Sequence, residues 1–330
     1  MKAIRQDRYG GPEVLELAEV PDPVPGPGEV LVRVRAASVN AADWHILRGD
    51  PYLARLVDRT TFGRRGPRHP IPGRDVAGTV EALGPGVTRF SVGDAVVGEV
   101  GDRGGAFAEL VAVGEGLLVA KPESLSWTEA AALPLAGNTA LLLAGEARVH
   151  PGSTLLVLGA SGGVGTFLVQ IAAARGAEVT AVCSTRNVEQ ARALGAAHVV
   201  DRTRDPLPDI RYDSVVDLAG GRGLGEVRRR TAPAGVLVLS GGGTSEGGSL
   251  VGPMGLMIAG GVVGLRGRPR IVIPTARAGQ NIAEIVALAA AGTVRPVIER
   301  TYALADVPEA IRHMEQEHTR GKLVVTIELS

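Results

Sequence analysis

The chain has a single cysteine, Cys183, in 330 residues, and aromatic residues make up only 3% of it. One thiol excludes an intrachain disulfide framework and any zinc site built from several cysteines. It fits a reducing compartment, so the cytoplasm is the expected location. No excess of one charge sign exists either, since 35 basic residues face 35 acidic ones. With no basic stripe, a nucleic acid partner is not expected. Lysine is scarce, with Lys2, Lys121 and Lys322 the only three. The six histidines (His45, His69, His150, His198, His313 and His318) are scattered. A zinc site needs three or four close ligands, so none is expected. Long apolar runs are also missing. The uncharged stretch 250–265 falls short of the roughly 20 residues that a membrane span requires. It also contains five glycines and a proline, so a buried helix and strand is expected there and no membrane association. The N-terminal residues lack the apolar run of a signal peptide and read as the start of a strand.

What is present is an ordinary globular composition, 45% apolar, in a chain long enough for two hydrophobic cores. Up to about residue 120 the pattern is strand and turn. Val30 to Arg35 alternates apolar and polar, and proline-glycine clusters at 21–28 and 67–73 punctuate it. From Thr128 alanine-rich and leucine-rich helix takes over. Thr154 to Leu158 then forms a continuous apolar run, the mark of a strand buried on both faces. The pattern predicts helices at 164–175 and 188–194, with strands at 178–182, 199–200, 214–217 and 236–239. These are βαβ units with a parallel sheet. Beyond Pro274 it predicts helix 278–291, strand 297–303, helix 308–317 and a last strand 322–329.

Between the strand ending at Leu158 and the next helix stands Gly159-Ala160-Ser161-Gly162-Gly163-Val164-Gly165. Read as Ala160-x-Gly162-x-x-Gly165, it matches the dinucleotide fingerprint with an extra glycine at Gly163. Small residues allow the tight turn and the close approach of backbone to a pyrophosphate, whose charge the helix N-terminus receives. Ala160, Ser161, Gly162, Gly163 and Val164 are therefore expected to bind cofactor. The end of the second strand reads Ser184-Thr185-Arg186, with no acid to accept both ribose hydroxyls. Hydroxyls and a forked cation there suit the 2′-phosphate of NADPH. Ser240-Gly241, followed by Gly242 and Gly243, ends another strand at the carboxyl edge of the sheet, where close backbone approach to the nicotinamide is expected.

Together with that loop, 38–44 (SVNAADW), 72–78 (PGRDVAG), 104–109 (GGAFAE) and 321–325 (GKLVV) make the chain resemble a family. It is similar to the zinc-free, quinone oxidoreductase-like branch of the medium-chain dehydrogenases/reductases, which includes the zeta-crystallin-like proteins and enone reductases. The resemblance implies an α/β fold in which a Rossmann doubly wound parallel sheet, 122–271, is inserted in a β-rich GroES-like catalytic domain, 1–121 plus 272–330. It also implies a homodimer. Zinc-dependent relatives carry a cysteine after the first catalytic-domain strand, a His-Glu pair and a four-cysteine lobe. Here 40–43 has no thiol, Arg74 and Asp75 stand where His and Glu would be, and the lobe is missing.

Without a Lewis acid, a simple ketone or alcohol lacks its usual oxyanion stabiliser. Hydride addition to an activated C=C or a quinone is easier, because the charge spreads. The expected function is an NADPH-dependent enone or quinone reductase. Two other readings stay open, a metal-independent NADP-dependent alcohol dehydrogenase and a non-catalytic NADPH-binding protein. By resemblance Asn40 sits at the nicotinamide and substrate end of the cleft, Thr139 approaches the nicotinamide ring, and Lys322 contacts the cofactor. A solvated lysine is the alternative at Lys322, and a helix cap is the alternative at Asp43 and Thr139. Asp43 lies where relatives relay protons. His45 and Tyr52 are the side-chain candidates for protonating the substrate, with water as the other source. Trp44, Phe62, Met254 and Met257 are candidates for the pocket or the core.

Overall fold

Alternation in the first unit produces β3 (Glu29–Val39), in which Val30, Val32 and Val34 are fully buried while Arg33 meets Glu81 at the surface, 2.7 Å away. The structure, a computed structural model, describes residues 1–241, 255, 259, 260, 267–317 and 319–328. Within them β3 is the spine of a seven-stranded sheet. It pairs antiparallel with β4 (Asp75–Leu83), β6 (Leu110–Gly114) and β15 (Lys322–Thr326). Outward from β4 come β5 (Ala95–Glu99) and β7 (Leu118–Ala120), and outward from β15 lies β14 (Ile298–Ala303), parallel to it. A hairpin of β1 (Lys2–Gln6) and β2 (Leu15–Glu19) stands beside this sheet. Helix α1 (Ala41–Arg48) follows β3, and the short α2 (Ala54–Val57) comes after it.

The second sheet is parallel throughout. Its order is β10 (His198–Asp201), β9 (Glu178–Cys183), β8 (Thr154–Leu158), β11 (Tyr212–Asp217), β12 (Thr231–Leu239) and β13 (Arg270–Val272). The run Leu155-Leu156-Val157-Leu158 is buried on both faces, as its composition requires. Leu155 and Val157 join one core cluster, and Leu156 and Leu158 join another. The helices around it are α3 (Trp127–Ala131), α4 (Pro134–Glu146), α5 (Gly163–Ala174), α6 (Val188–Ala193), α7 (Leu224–Arg229) and α8 (Ile282–Ala290). Helix α9 (Val307–Glu317) buries Val307, Ala310, Ile311 and Met314 in the core of the first sheet.

Strand order reverses between β8 and β11, which opens a crevice at their carboxyl ends, the usual ligand position in such sheets. The two sheets share apolar packing, because Ala36, Ala77, Val97 and Val324 of the first belong to the same core cluster as α3, α4 and α5. The functional side chains gather on that seam. No helix among the described residues is long and apolar enough to cross a membrane. The expected helix and strand at 250–265 lie outside the described residues, apart from 255, 259 and 260.

Candidate functional site

The glycine loop leaves β8 through Gly159, at φ +83°, and enters α5 with Gly162 as its N-cap. A side chain on Gly165 would put its Cβ 2.2 Å from the Gly159 carbonyl oxygen, so only glycine lets helix and turn pack this closely. Gly159 abuts Leu218 at the end of β11, and Gly241, at φ +144°, also lies against Leu218. The result is a crevice walled by backbone, open to the first-turn amides of α5, which have no intrahelical acceptor. This cradle fits a dinucleotide pyrophosphate: added Cβ atoms would fill it, and the helix end favours negative charge. Ala160, Ser161, Gly162, Gly163 and Val164 all lie in it. Ser240 stands at the neighbouring strand end, its amide donating to the Asp217 carbonyl at 3.0 Å. Gly242, Gly243, Met254 and Met257 fall outside the described residues.

Strand β15 touches the loop directly. The Gly321 amide donates to the Ser161 carbonyl at 2.8 Å, and the Lys322 side chain then runs past Gly163. A Cβ on Gly163 would come within 3.1 Å of Lys322 Cδ, which gives the extra glycine a physical reason. Lys322 is buried, not solvated, with 3% exposure. Its Nζ donates to Asn40 Oδ1 at 2.5 Å, to the Val39 carbonyl at 3.1 Å and to Asp75 Oδ2 at 3.4 Å. Burial lowers the lysine's pKa, and Asp75, Asp43 and Glu99 oppose that shift. Asn40 in turn donates from Nδ2 to Asp75 Oδ2 at 3.0 Å and to the Ser38 carbonyl at 3.2 Å. Ser38 Oγ donates to the same Asp75 oxygen at 2.6 Å.

Asp43 caps α1. Its carboxylate accepts the Asn40 amide at 2.8 Å and the Gly73 amide at 3.2 Å, and burial raises its pKa to about 6. Glu99, in register with Asp75 across β4 and β5, is pushed up to about 7 by burial and by the neighbouring Asp75 charge. Arg74 lies 3.4 Å from it. The Asn138 side chain on α4 hydrogen-bonds Glu99 and also donates to the Arg277 carbonyl at 2.8 Å. The next residue, Thr139, donates from Oγ1 to the Leu135 carbonyl one turn earlier, at 2.8 Å, a bond within α4.

The raised Glu99 pKa has a definite sign. The folded protein holds a proton there that the unfolded chain has already released, so this group's stabilising contribution is complete below about pH 4.5 and is lost as pH rises through about 7. Glu99→Gln should therefore remove a drop on the order of 3 kcal/mol between pH 4.5 and 8. Urea unfolding of both proteins across that range reads it directly. An identical pH slope in the variant would contradict the assignment.

Ser184, Thr185 and Arg186, the residues expected at the ribose end, follow directly after β9. Ser184 Oγ accepts from Asn187, and the Arg186 guanidinium donates to the Glu317 carbonyl at the end of α9. The structure adds a carboxylate that the strand-end reading left out. Asp201, from the adjacent strand β10, accepts Thr185 Oγ1 at 2.6 Å and Thr203 Oγ1 at 2.7 Å. Those hydroxyls hold its carboxyl below the usual range.

His45 lies on α1 with Nδ1 3.0 Å from the Asp50 carbonyl and its ring edge-on to Trp44. Burial lowers its pKa. Tyr52 belongs to a surface stack with Arg55, whose guanidinium lies 4.6 Å from the Tyr52 ring and 4.1 Å from the Tyr9 ring. Trp44 and Phe62 are buried, Trp44 in the core of the first sheet and Phe62 against Tyr9. Sequence reading missed Ser38, Glu99 and the part played by Asp75. The available signal was a charge at the onset of the apolar run Val76-Ala77-Gly78, where a side chain has no route to water.

Among the described residues no group of three or more His, Cys, Asp or Glu is arranged to hold a metal ion. A family model described as "Alcohol dehydrogenase GroES-like domain" matches residues 26–123, and one described as "Zinc-binding dehydrogenase" matches 194–325. The mitochondrial NAD(P)H oxidoreductase RTN4IP1 of Mus musculus is 34% identical, over 97% of this chain and 88% of its own length. The chloroplast envelope quinone oxidoreductase homolog of Arabidopsis thaliana is 33% identical over 98% of both chains. The solved quinone oxidoreductase of Coxiella burnetii superposes with a TM-score of 0.87 at 29% identity, covering 99% of each chain. A glycine cradle at a sheet switch point, a GroES-like sheet closing on it and these likenesses agree. The chain belongs to the zinc-free, quinone oxidoreductase-like NAD(P)H oxidoreductases of the medium-chain dehydrogenase/reductase family.

Proposed function

We propose that this protein is an NADPH-dependent reductase that delivers hydride to an activated C=C or a quinone without zinc. The observation that carries the reading is the position of Lys322, whose side chain passes over the glycine loop to reach Asn40. A bound NADPH supplies the hydride. Ala160 to Val164 would hold its pyrophosphate, Ser240 and Gly241 would flank the nicotinamide end, and Thr139 would border the ring from α4. Asn40 orients the reacting partners, fixed from behind by the Asp43 cap on its own amide. The Lys322 charge, held out of water, favours an enolate or hydroquinone oxygen carrying negative charge. Burial lowers the His45 pKa, so its ring favours the neutral form with no acidic proton to give, and Tyr52 is engaged with Arg55; the proton is therefore assigned to water. The division into 1–121 plus 272–330 and 122–271, the homodimer and a cytoplasmic location are part of the same proposal; the family likeness supports the division and the homodimer, and the lone buried Cys183 supports the location.

Preference for NADPH rests on Ser184, Thr185 and Arg186. A second reading, use of NADH as well, is favoured by Asp201, because a carboxylate at the ribose end accepts hydroxyls and repels phosphate. Oxidation of NADPH and NADH by chelator-treated protein, across quinones, enones and simple ketones, tests both. Turnover of quinones or enones with NADPH preferred is expected. Turnover of simple alcohols or ketones alone would overturn the reductase reading. Arg186→Ala should weaken NADPH about tenfold, the worth of a charge-assisted hydrogen bond, and change NADH less than about twofold. Equal loss for both nucleotides would remove Arg186 from the phosphate site.

A further inference from the structure

The fully buried Asp75 carboxylate is bound only by donors, and they come from three separate elements. Oδ2 accepts Ser38 and Asn40 from the end of β3 and Lys322 from β15. Oδ1 accepts the Leu135 amide at 2.9 Å. Leu135 lies in the first turn of α4, just after Pro134, where a helix amide has no intrahelical partner. The nucleotide-side helix is thus capped by a side chain of the opposite sheet. We propose that Asp75 is a positioning residue for hydride transfer, one that fixes Asn40 and Lys322 in place and registers them against the helix that carries Thr139.

The inference rests on the reductase reading above and names what aligns that site. Stability alone is a poor reason for the arrangement, since a buried ion pair seldom outperforms apolar packing of the same volume. Geometry is the better reason. Ser38, Asn40 and Lys322 share one oxygen, so none of the three can move without disturbing the others, while the second oxygen ties that set to α4. Relative placement of two reacting partners is worth large rate factors, and displacements near 1 Å already cost about a hundredfold. An amide at this position has the same shape but must turn an N–H toward a donor, so Asp75→Asn breaks the register without opening a cavity.

The experiment compares Asp75→Asn, Asp75→Glu and the control Asp213→Asn. Asp213 is also a carboxylate joining two strands, accepting the Thr154 amide and hydroxyl at 2.9 Å, outside the site. Steady-state kinetics are normalised to folded protein, and NADPH affinity is read by nucleotide fluorescence without an acceptor. In Asp75→Asn, kcat and kcat/KM are expected to fall together by about thirtyfold or more while NADPH affinity stays within about threefold, the pattern of an alignment lost in the transition state. Asp75→Glu should recover part of kcat, and Asp213→Asn should keep wild-type values. In the Lys322→Met background, Asp75→Asn should add less than about threefold, because one alignment cannot be lost twice. Wild-type kcat in folded Asp75→Asn would overturn the proposal, as would a fall confined to thermal stability. If Asp75→Asn does not fold, wild-type kcat in Asp75→Glu overturns it instead. A wild type inert toward every acceptor would overturn the reductase reading and this inference together.

Discussion

Gly165→Ala is expected to abolish useful nucleotide binding, weakening NADPH by about a hundredfold or more, and to destabilise the fold by roughly 3 kcal/mol. The new Cβ would lie 2.2 Å from the Gly159 carbonyl oxygen and 2.8 Å from the backbone of Ala160. Both obstacles are main chain within the turn that shapes the proposed pyrophosphate seat, so relief requires α5 to move away from β8. Any such movement carries the first-turn amides away from the phosphate. A nearby control separates this effect from the general cost of an extra methyl. Gly145, in α4, has nothing within 4 Å of its would-be Cβ, and Gly145→Ala should leave binding intact while adding about 0.5–1 kcal/mol of helix stability. Fluorescence titration with NADPH and urea unfolding decide the case. Normal nucleotide affinity in Gly165→Ala would mean that the loop is not the cofactor seat.

Lys322→Met is expected to cost about 3–5 kcal/mol near pH 8, together with most of kcat. Methionine fills nearly the same volume, so packing is preserved and the loss is electrical. Asp75, Asp43 and Glu99 would share a buried region with Arg74 as their only nearby cation among the groups that act on them. The sign of the pH dependence follows from the carboxyls. Asp43 and Glu99 take up protons as pH falls through about 6 and about 7, which removes the uncompensated charge, so the cost of the variant should shrink toward pH 5. Unfolding midpoints of variant and wild type at the two pH values measure it. A cost that is the same at both would show that Lys322 acts through packing alone.

Much of this architecture was legible in the residues. The apolar run at Leu155 to Leu158 announced a strand covered on both faces, and the loop from Gly159 to Gly165 marked the proposed cofactor seat. Predicted helix 164–175 differs from α5 by one residue at each end, and 308–317 from α9 by one residue at its start, which is the ordinary uncertainty of fraying termini. The segment 278–291 begins as helix only at Ile282, because Ala278 to Gln280 spend their backbone in a turn through Gly279, at φ +77°. What the sequence concealed was the joining of distant positions. Ser38, Asp75, Leu135 and Lys322 belong to no common motif, and only the pairing of β3 with both β4 and β15 brings three of them together. Asp201 escaped notice for the same reason. The ribose end was sought at the end of one strand, and the carboxylate arrives from the next, opposite Cys183 in the β9–β10 register.

The place of β15 in its sheet also fixes an order of events during synthesis. Strand β3 is made early, yet one of its two long edges, paired with β6 over Glu29 to Arg33, is completed over Ala36 to Val39 only by β15, the last strand of this sheet in chain order among the described residues. The glycine loop likewise waits for Gly321. A nascent chain that has already made both β4 and the whole parallel sheet therefore still exposes an unpaired β3 edge lined by Ala36, Ala37 and Val39, a surface open to edge-to-edge association. A polypeptide without β15 would stay in that state, so truncation that removes Lys322 to Thr326 should be read out as aggregation before it is read out as weak catalysis.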